Sequence, residues 1–470
     1  MEINKKFENV WEIAKEGKMN VAVRVCASEK LLEDIKKDKT LWQAQNMAKL
    51  PGVIGVVVLP DAHQGYGACI GGVSACDLEN GVVSPGEIGY DINCSVRLLR
   101  TNLNEEDLKG KEKEVLHSLF RTIPSGVGRE SKIKLSDSEL NDVLVKGAKW
   151  CLGKGFVTKD DVEHIEDGGC LLGANSSKVS PRAKARGRKQ LGTLGAGNHF
   201  LEVQVVREIF DEDVAKVFGL EKGQICIMVH CGSRGLGHQV ASDYIREMER
   251  KIGIKDLPDR ELVNAPIKSD LGRDYLDAMA CAANFAFANK QLITHWIRED
   301  LKHYFPKLKM EVVYDICHNI AKFEKHLVDG KQKEVLVMRK GATRSFGPGR
   351  KEVPADYRKV GQPVLIPGSM GTYSYVLVGT KKAEELTWGS TAHGAGRVLS
   401  RTAAKRSITV EQVQGELKNR NVLLEVGSMK GVVDEAPGAY KDVTEVVRVS
   451  HELGIGKMVA KLKPLGVVKG

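Results

Sequence analysis

Gly89-Tyr90-Asp91-Ile92-Asn93-Cys94 is the stretch on which the reading of this chain turns. A carboxylate and a thiol stand three residues apart on a segment whose flanking glycines, Gly86 and Gly89, permit sharp turns. Two such donors can reach one metal ion, and a thiolate can bridge two. Taken alone, the same residues also read as an Asx turn followed by a buried cysteine.

Outward from there, three histidines occupy similar settings. His199 closes the glycine-rich run Gly192-Thr193-Leu194-Gly195-Ala196-Gly197-Asn198. His230 follows the apolar stretch Gln224–Val229, and His318 comes soon after Met310–Tyr314; both stretches read as buried strands. Each histidine by itself could be a hydrogen-bonded structural residue. Together with Asp91 and Cys94 they form a mixed O/N/S donor set compatible with Zn, Mn or Fe, and five donors exceed one tetrahedral site. His393, in Thr391-Ala392-His393-Gly394-Ala395-Gly396-Arg397, is set apart. The helix formers of Arg397–Arg406 predict a helix whose N-terminus lies beside this imidazole and favours phosphate there. A neutral imidazole is a competent nucleophile toward phosphorus, although a helix-cap histidine accounts for His393 equally simply.

The surrounding chain is globular in composition. Among its 470 residues 42% are hydrophobic and 28% charged, and Lys plus Arg exceeds Asp plus Glu by 71 − 61 = 10. That surplus suits a polyanionic partner without requiring one. No apolar run approaches the ~20 residues of a membrane span, and Met1–Asn20 lacks the pattern of a signal peptide, so a cytoplasmic location is expected. The ten cysteines then read as thiols, and no Cys-x-x-Cys pair occurs. No Lys-x-Asp-Gly, Walker A or His-Glu-x-x-His motif is present, and the third glycine of a dinucleotide fingerprint after Gly65-Tyr66-Gly67 is misplaced.

Further strands are expected at Val53–Leu59, Pro363–Ile366 and Thr372–Val378, with a tight turn between the last two. Arg273–Phe305 predicts one long core helix or two abutting ones. Val179–Lys189 reads as a surface loop or short helix. Candidate residues run from Asp61 to Lys469 without a linker, so one compact α+β unit spanning 1–470 is expected, with mixed sheets and helices around a metal-binding cleft.

In family order, these segments resemble the RtcB family of tRNA-splicing RNA ligases. The resemblance runs through Pro60–Gly67, Gly89–Cys94, Gln190–Val203, His230–Gly235, Tyr314–Asn319, Arg339–Arg344, Ile366–Thr372, Ser390–Arg401, Asp434–Lys441 and Pro464–Gly470. It implies a GTP- and Mn2+-dependent ligase, with two ions per site, that joins RNA 3′-phosphate or 2′,3′-cyclic phosphate ends to 5′-hydroxyl ends. Such an enzyme acts in tRNA splicing or RNA repair, with tRNA halves as partners and, in some members, an archease-type activator. His393 would carry GMP. Asp91, Cys94 and His199 would hold one ion, and Cys94, His230 and His318 the other. The implied GTP/GMP site comprises Asn198, His199, Phe200, Leu201, Glu202, His318, Asn319, Pro367, Gly368, Ser369, Met370, Ser374, His393, Gly394, Ala395, Gly396, Tyr440 and Lys469. Glu202 would select guanine, and Arg234, Lys340, Arg397 and Arg401 would contact RNA. The family usually has glycine where Glu87 and Ser95 stand, which bears on loop geometry beside Cys94. A phosphoesterase acting on RNA ends without ligation is the alternative; it would need the metal donors but neither His393 nor GTP.

Overall fold

Two β-sheets meet along the chain's most polar interior, and the computed structural model describes residues 2–470. The first sheet has seven strands in the spatial order Ile3–Phe7, Val10–Ile13, Val23–Cys26, Val53–His63, Ile70–Asp77, Lys331–Lys340, Asn319–Val328. The second runs Met310–Cys317, Ser95–Asn104, Gln224–Cys231, Phe200–Ile209, Lys457–Lys469, Ser374–Val378, Pro363–Ile366, with Leu423–Val426 parallel to Lys457–Lys469. Pairing is otherwise antiparallel except between Val23–Cys26 and Val53–His63. A short ribbon, Ala342–Arg344 with Ser390–Ala392, carries the chain up to His393.

Helices and sheets thus mix in a single compact α+β unit. Its long helix is continuous over 35 residues, Asp270–Tyr304, and opens on Ser269, whose side chain accepts from Gly272 N–H. Among the described residues no helix is long and apolar enough to cross a membrane. The basic segment Val179–Lys189 forms a short helix, Pro181–Arg188, capped by Ser180 with proline at its first turn.

Several strands outrun their apolar cores. Gln224–Cys231 includes His230 because neighbours on both sides continue the ladder through polar residues, and Met310–Cys317, at the sheet edge, reaches the residue before His318 along its single partner, Ser95–Asn104. Val53–His63 passes through Pro60 to His63, and its pairing with Ile70–Asp77 breaks between Val58 and His63, where Pro60 has no N–H to give. His318 lies where the chain leaves the second sheet and enters the first at Asn319.

One expectation is corrected. The helix after His393 begins at Arg401, not Arg397, because Ser400 takes extended geometry and caps it by accepting from Ala403 N–H. His393 therefore follows a strand, with Gly394–Ser400 between it and the helix.

Candidate metal centre and nucleotide cleft

The Gly89–Cys94 segment is indeed a turn, with Cys94 N–H donating to Asp91 O at 2.9 Å. Asn93 adopts φ +51°, and its side chain donates to Ala283 O at 2.8 Å. Asn319 braces the other side, donating to Asp91 O at 3.1 Å, while its own carbonyl accepts from Asn93 N–H at 2.7 Å. Turn and metal-site readings are therefore compatible: the turn is what aims the donors.

Asp91 Oδ2 lies 2.9 Å from His199 Nε2, and Cys94 Sγ lies 3.7 Å from the same nitrogen. On its other side Cys94 Sγ is 3.1 Å from His230 Nε2, which is 3.2 Å from His318 Nε2. Among the described residues two donor groups emerge, Asp91–Cys94–His199 and Cys94–His230–His318, and Cys94 belongs to both.

These residues fit a divalent cation. His199 Nδ1 sits 3.1 Å from Leu194 O, which turns Nε2 toward Asp91 and Cys94; burial opposes charge on this imidazole, but Cys231 and Asp91 outweigh it and hold the group well above its usual range, so a cation bound there would displace the Nε2 proton. Burial holds His230 and His318 well below the usual imidazole range, so both are neutral. Two neutral imidazole nitrogens and a sulfur then converge in a buried space, where a cation satisfies all three. Burial pushes the Cys94 thiol up to about 12, and a coordinated divalent ion is the agent that brings such a thiol to thiolate.

His393 stands next to this cluster, its ring centroid 5.2 Å from that of His318. Asp61 Oδ2 accepts from His393 Nδ1 at 2.6 Å and from the backbone N–H groups of His393 and Gly394 at 3.0 and 3.3 Å. Burial alone would raise the Asp61 carboxyl, but the His393 imidazole outweighs it and holds the group below the usual carboxylate range. With Nδ1 committed to Asp61, Nε2 is the ring nitrogen left for other partners.

A cleft of about 200 Å³ opens over His393. Asn198, Phe200, Glu202, the turn Pro367–Met370, His393–Gly396, Tyr440 and Lys469 line it, together with Arg397 and Arg401. Burial pushes the Glu202 carboxyl up to about 8. Arg397 lies over the Tyr440 ring, 4.8 Å from its centroid.

Other expected residues stand elsewhere. Leu201 alternates with Phe200 and Glu202 along one strand, so its side chain points away into an apolar cluster with Leu194 and Val203. Ser374 sits behind the cleft, its hydroxyl accepting from Gly368 N–H at 3.2 Å and Gln204 at 3.0 Å. Asn319 braces the metal loop, and His199 and His318 belong to the metal cluster rather than the cleft wall. Lys340 does not join any phosphate-facing surface. It is buried, and its ammonium donates to the carbonyls of Tyr66, Ala68 and Gly86. Arg234 lies along the glycine-rich loop, its Nε 3.3 Å from Thr193 Oγ1. Arg401 is half-exposed and pairs with Asp434 and Glu435.

His63 and Glu435 were not singled out as site residues, and Asp61, the first of the candidates, was given no role. Asp61 and His63 lie in Pro60-Asp61-Ala62-His63, where an acid and a histidine directly after an apolar run were the available signal. Glu435, which accepts from Tyr440 and pairs with Arg397, gave no signal of spacing. Of the family departures, Ser95 accepts from the buried Lys290 ammonium, and Glu87 is buried with both carboxyl oxygens unpartnered.

The family described as tRNA-splicing ligase RtcB matches residues 43–470. The chain belongs to the RtcB family. The proteins named tRNA-splicing ligase RtcB from Nanoarchaeum equitans and Pyrobaculum aerophilum are 52% and 54% identical to it. Each alignment covers 100% of this chain and, respectively, 100% and 99% of the relative. The RtcB protein of Thermococcus kodakarensis is 52% identical over 98% of this chain and 97% of its own length. RtcB membership and a buried O/N/S donor cluster thus coincide in one chain.

Proposed function

We propose that the whole chain serves as one catalytic domain, a GTP-dependent RNA ligase joining RNA 3′-phosphate or 2′,3′-cyclic phosphate ends to 5′-hydroxyl ends. The observation that carries this reading is His393, whose Nδ1 is held by Asp61 while Nε2 has no hydrogen-bond partner among the described residues, in a cleft beside the donor cluster. His393 Nε2 attacks the α-phosphate of GTP, forming an N–P bond and releasing pyrophosphate. GMP then passes to the RNA 3′-phosphate and His393 is regenerated. The 5′-hydroxyl attacks that activated phosphate, forming the phosphodiester and releasing GMP. A cyclic phosphate is first opened to the 3′-phosphate.

Asp91, Cys94 and His199 would hold one divalent cation and Cys94, His230 and His318 a second, Mn2+ by family resemblance. When bound, such ions neutralise charge developing on the phosphate oxygens. Glu202 supplies the choice of base. Burial raises this carboxyl, but guanine's N1–H and N2 amino group would favour its ionised form and donate to it, and adenine does not present those donors there. Tyr440 stacks on the base, and Arg401 and Arg234 contact RNA phosphates. tRNA halves as substrates, an archease-type activator and a cytoplasmic setting belong to the same proposal.

Incubation with α-labelled GTP and Mn2+ tests it. The expected product is a protein label that is acid-labile and base-stable, and His393→Ala should abolish it. Labelling that survives His393→Ala would refute the nucleophile. End hydrolysis indifferent to GTP, with no labelling at all, would make the protein a phosphoesterase instead.

A further inference from the structure

The metal donors arrive on four separate segments, and the donors themselves do not set the distances between those segments. Behind them runs the helix Asp270–Tyr304, along which Asn284, Asn289 and Lys290 are fully buried. Burying three such side chains in mid-helix is unfavourable unless each is hydrogen-bonded, so their partners carry information.

Asn289 uses both ends of its amide. Oδ1 accepts from the N–H groups of Gly192 and Thr193 at 2.7 and 3.0 Å. Nδ2 donates to Thr193 O at 3.2 Å, Gly232 O at 3.3 Å and Cys231 Sγ at 3.1 Å. The first segment leads into His199, and the second immediately follows His230. One side chain therefore ties together the approaches to two donors. The tie extends to the tautomer of His199, because Leu194 O, one residue beyond Thr193, accepts both from His199 Nδ1 and from Cys231 Sγ at 3.0 Å. Gly192 takes φ +78°, and Gly195 and Gly197 follow in the same loop, so the backbone there has little stiffness of its own.

We infer that Asn289 is a positioning residue for the metal centre, holding the His199 and His230 segments at the separation that lets both imidazoles face Cys94. This rests on the reading of those residues as metal donors. Asn284 provides an internal comparison on the same helix. It is equally buried, accepting from Leu171 N–H at 2.7 Å and donating to Leu144 O at 3.0 Å, but the segments it holds carry no donor.

The test uses the full chain, Co2+ as a probe with a thiolate-to-metal absorption band, Mn2+ as competitor, and the melting temperature of each variant. Asn289→Ala should weaken metal binding by roughly 10–100-fold, the usual cost of losing a partner that orients a ligand. Asn284→Ala should lower the melting temperature comparably while metal affinity stays within about twofold. Unchanged affinity in folded Asn289→Ala, or equal losses in both variants, would overturn the inference. A wild-type protein whose band is absent or insensitive to Cys94→Ala would overturn the donor reading and the inference with it. Should Asn289→Ala not fold, hydrogen exchange on the wild-type protein decides. By reciprocity, metal should slow exchange at the Gly192 and Thr193 amides held by Asn289, and not at the Leu171 amide held by Asn284. No slowing at Gly192 and Thr193 refutes it.

Discussion

Asp61 offers one oxygen to three N–H groups, and the shortest of these contacts, to His393 Nδ1, decides which imidazole nitrogen is available for attack. An amide in its place can present N–H to Nδ1 and so favour the opposite tautomer. Asp61→Asn is expected to slow GMP labelling of His393 by about 10³–10⁴-fold, as losing the orienting carboxylate does in Ser-His-Asp enzymes, with GTP binding largely kept. Single-turnover labelling beside equilibrium GTP binding separates the two effects. Glu87 shows the converse, a carboxyl with no partner. Burial raises it from 4.5 to about 8, so between those pH values the folded state keeps a proton that the unfolded state has lost. Stability therefore declines as pH rises through that window. Glu87→Gln should melt like the parent near pH 5 and be more stable, by a few kcal/mol, near pH 9. A stability gain independent of pH would contradict this account.

At the scale of elements, the segment from His393 to Ser400 is irregular and bent rather than helical, and Gly396 is central to it. Its φ is +75°, and a Cβ there would be driven into the Asp61 carbonyl oxygen. Gly396→Ala should cost about 1–2 kcal/mol from left-handed backbone alone, and more from displacing the Asp61 strand. Loss of His393 labelling should exceed the loss of folded protein measured by thermal melting. Gly415, exposed in the helix Val410–Asn419 with nothing within 4 Å of a built Cβ, is the contrast. There alanine should stabilise by about 0.5–1 kcal/mol.

Across the whole molecule, a buried ionic group joins the second sheet to the long helix. Arg97 Nε donates to Asp315 at 2.8 Å and Nη1 donates to Gln291 at 2.7 Å, while the Lys290 ammonium lies 3.5 Å from the same aspartate. Arg97, Lys290 and Asp315 are all fully buried. Asp315→Ala strands two cations in the core and should cost about 3–5 kcal/mol in urea unfolding. A loss below about 1 kcal/mol, the value of a surface pair, would show that the group is not load-sharing.

The sequence by itself determined the kinds of atoms at the site. Asp91, Cys94 and the three histidines were legible because each stands at the end of an apolar run or within a glycine-bracketed turn, and such signals are local. The central strands and the long helix were legible for the same reason, since periodicity is local too. Tertiary structure alone decided the rest. Leu201 faces away from the cleft because its neighbours on either side face into it. Lys340, a plausible phosphate contact by charge, is spent on three backbone carbonyls more than 250 residues away in sequence. Asp61 reaches His393 across 332 residues, and Asn289 ties His199 to His230 from a helix with no metal donor of its own. Residue type and local propensity are written along the chain; the separation between segments is set by how sheets and helix pack, and metal binding and nucleophile orientation both depend on that separation.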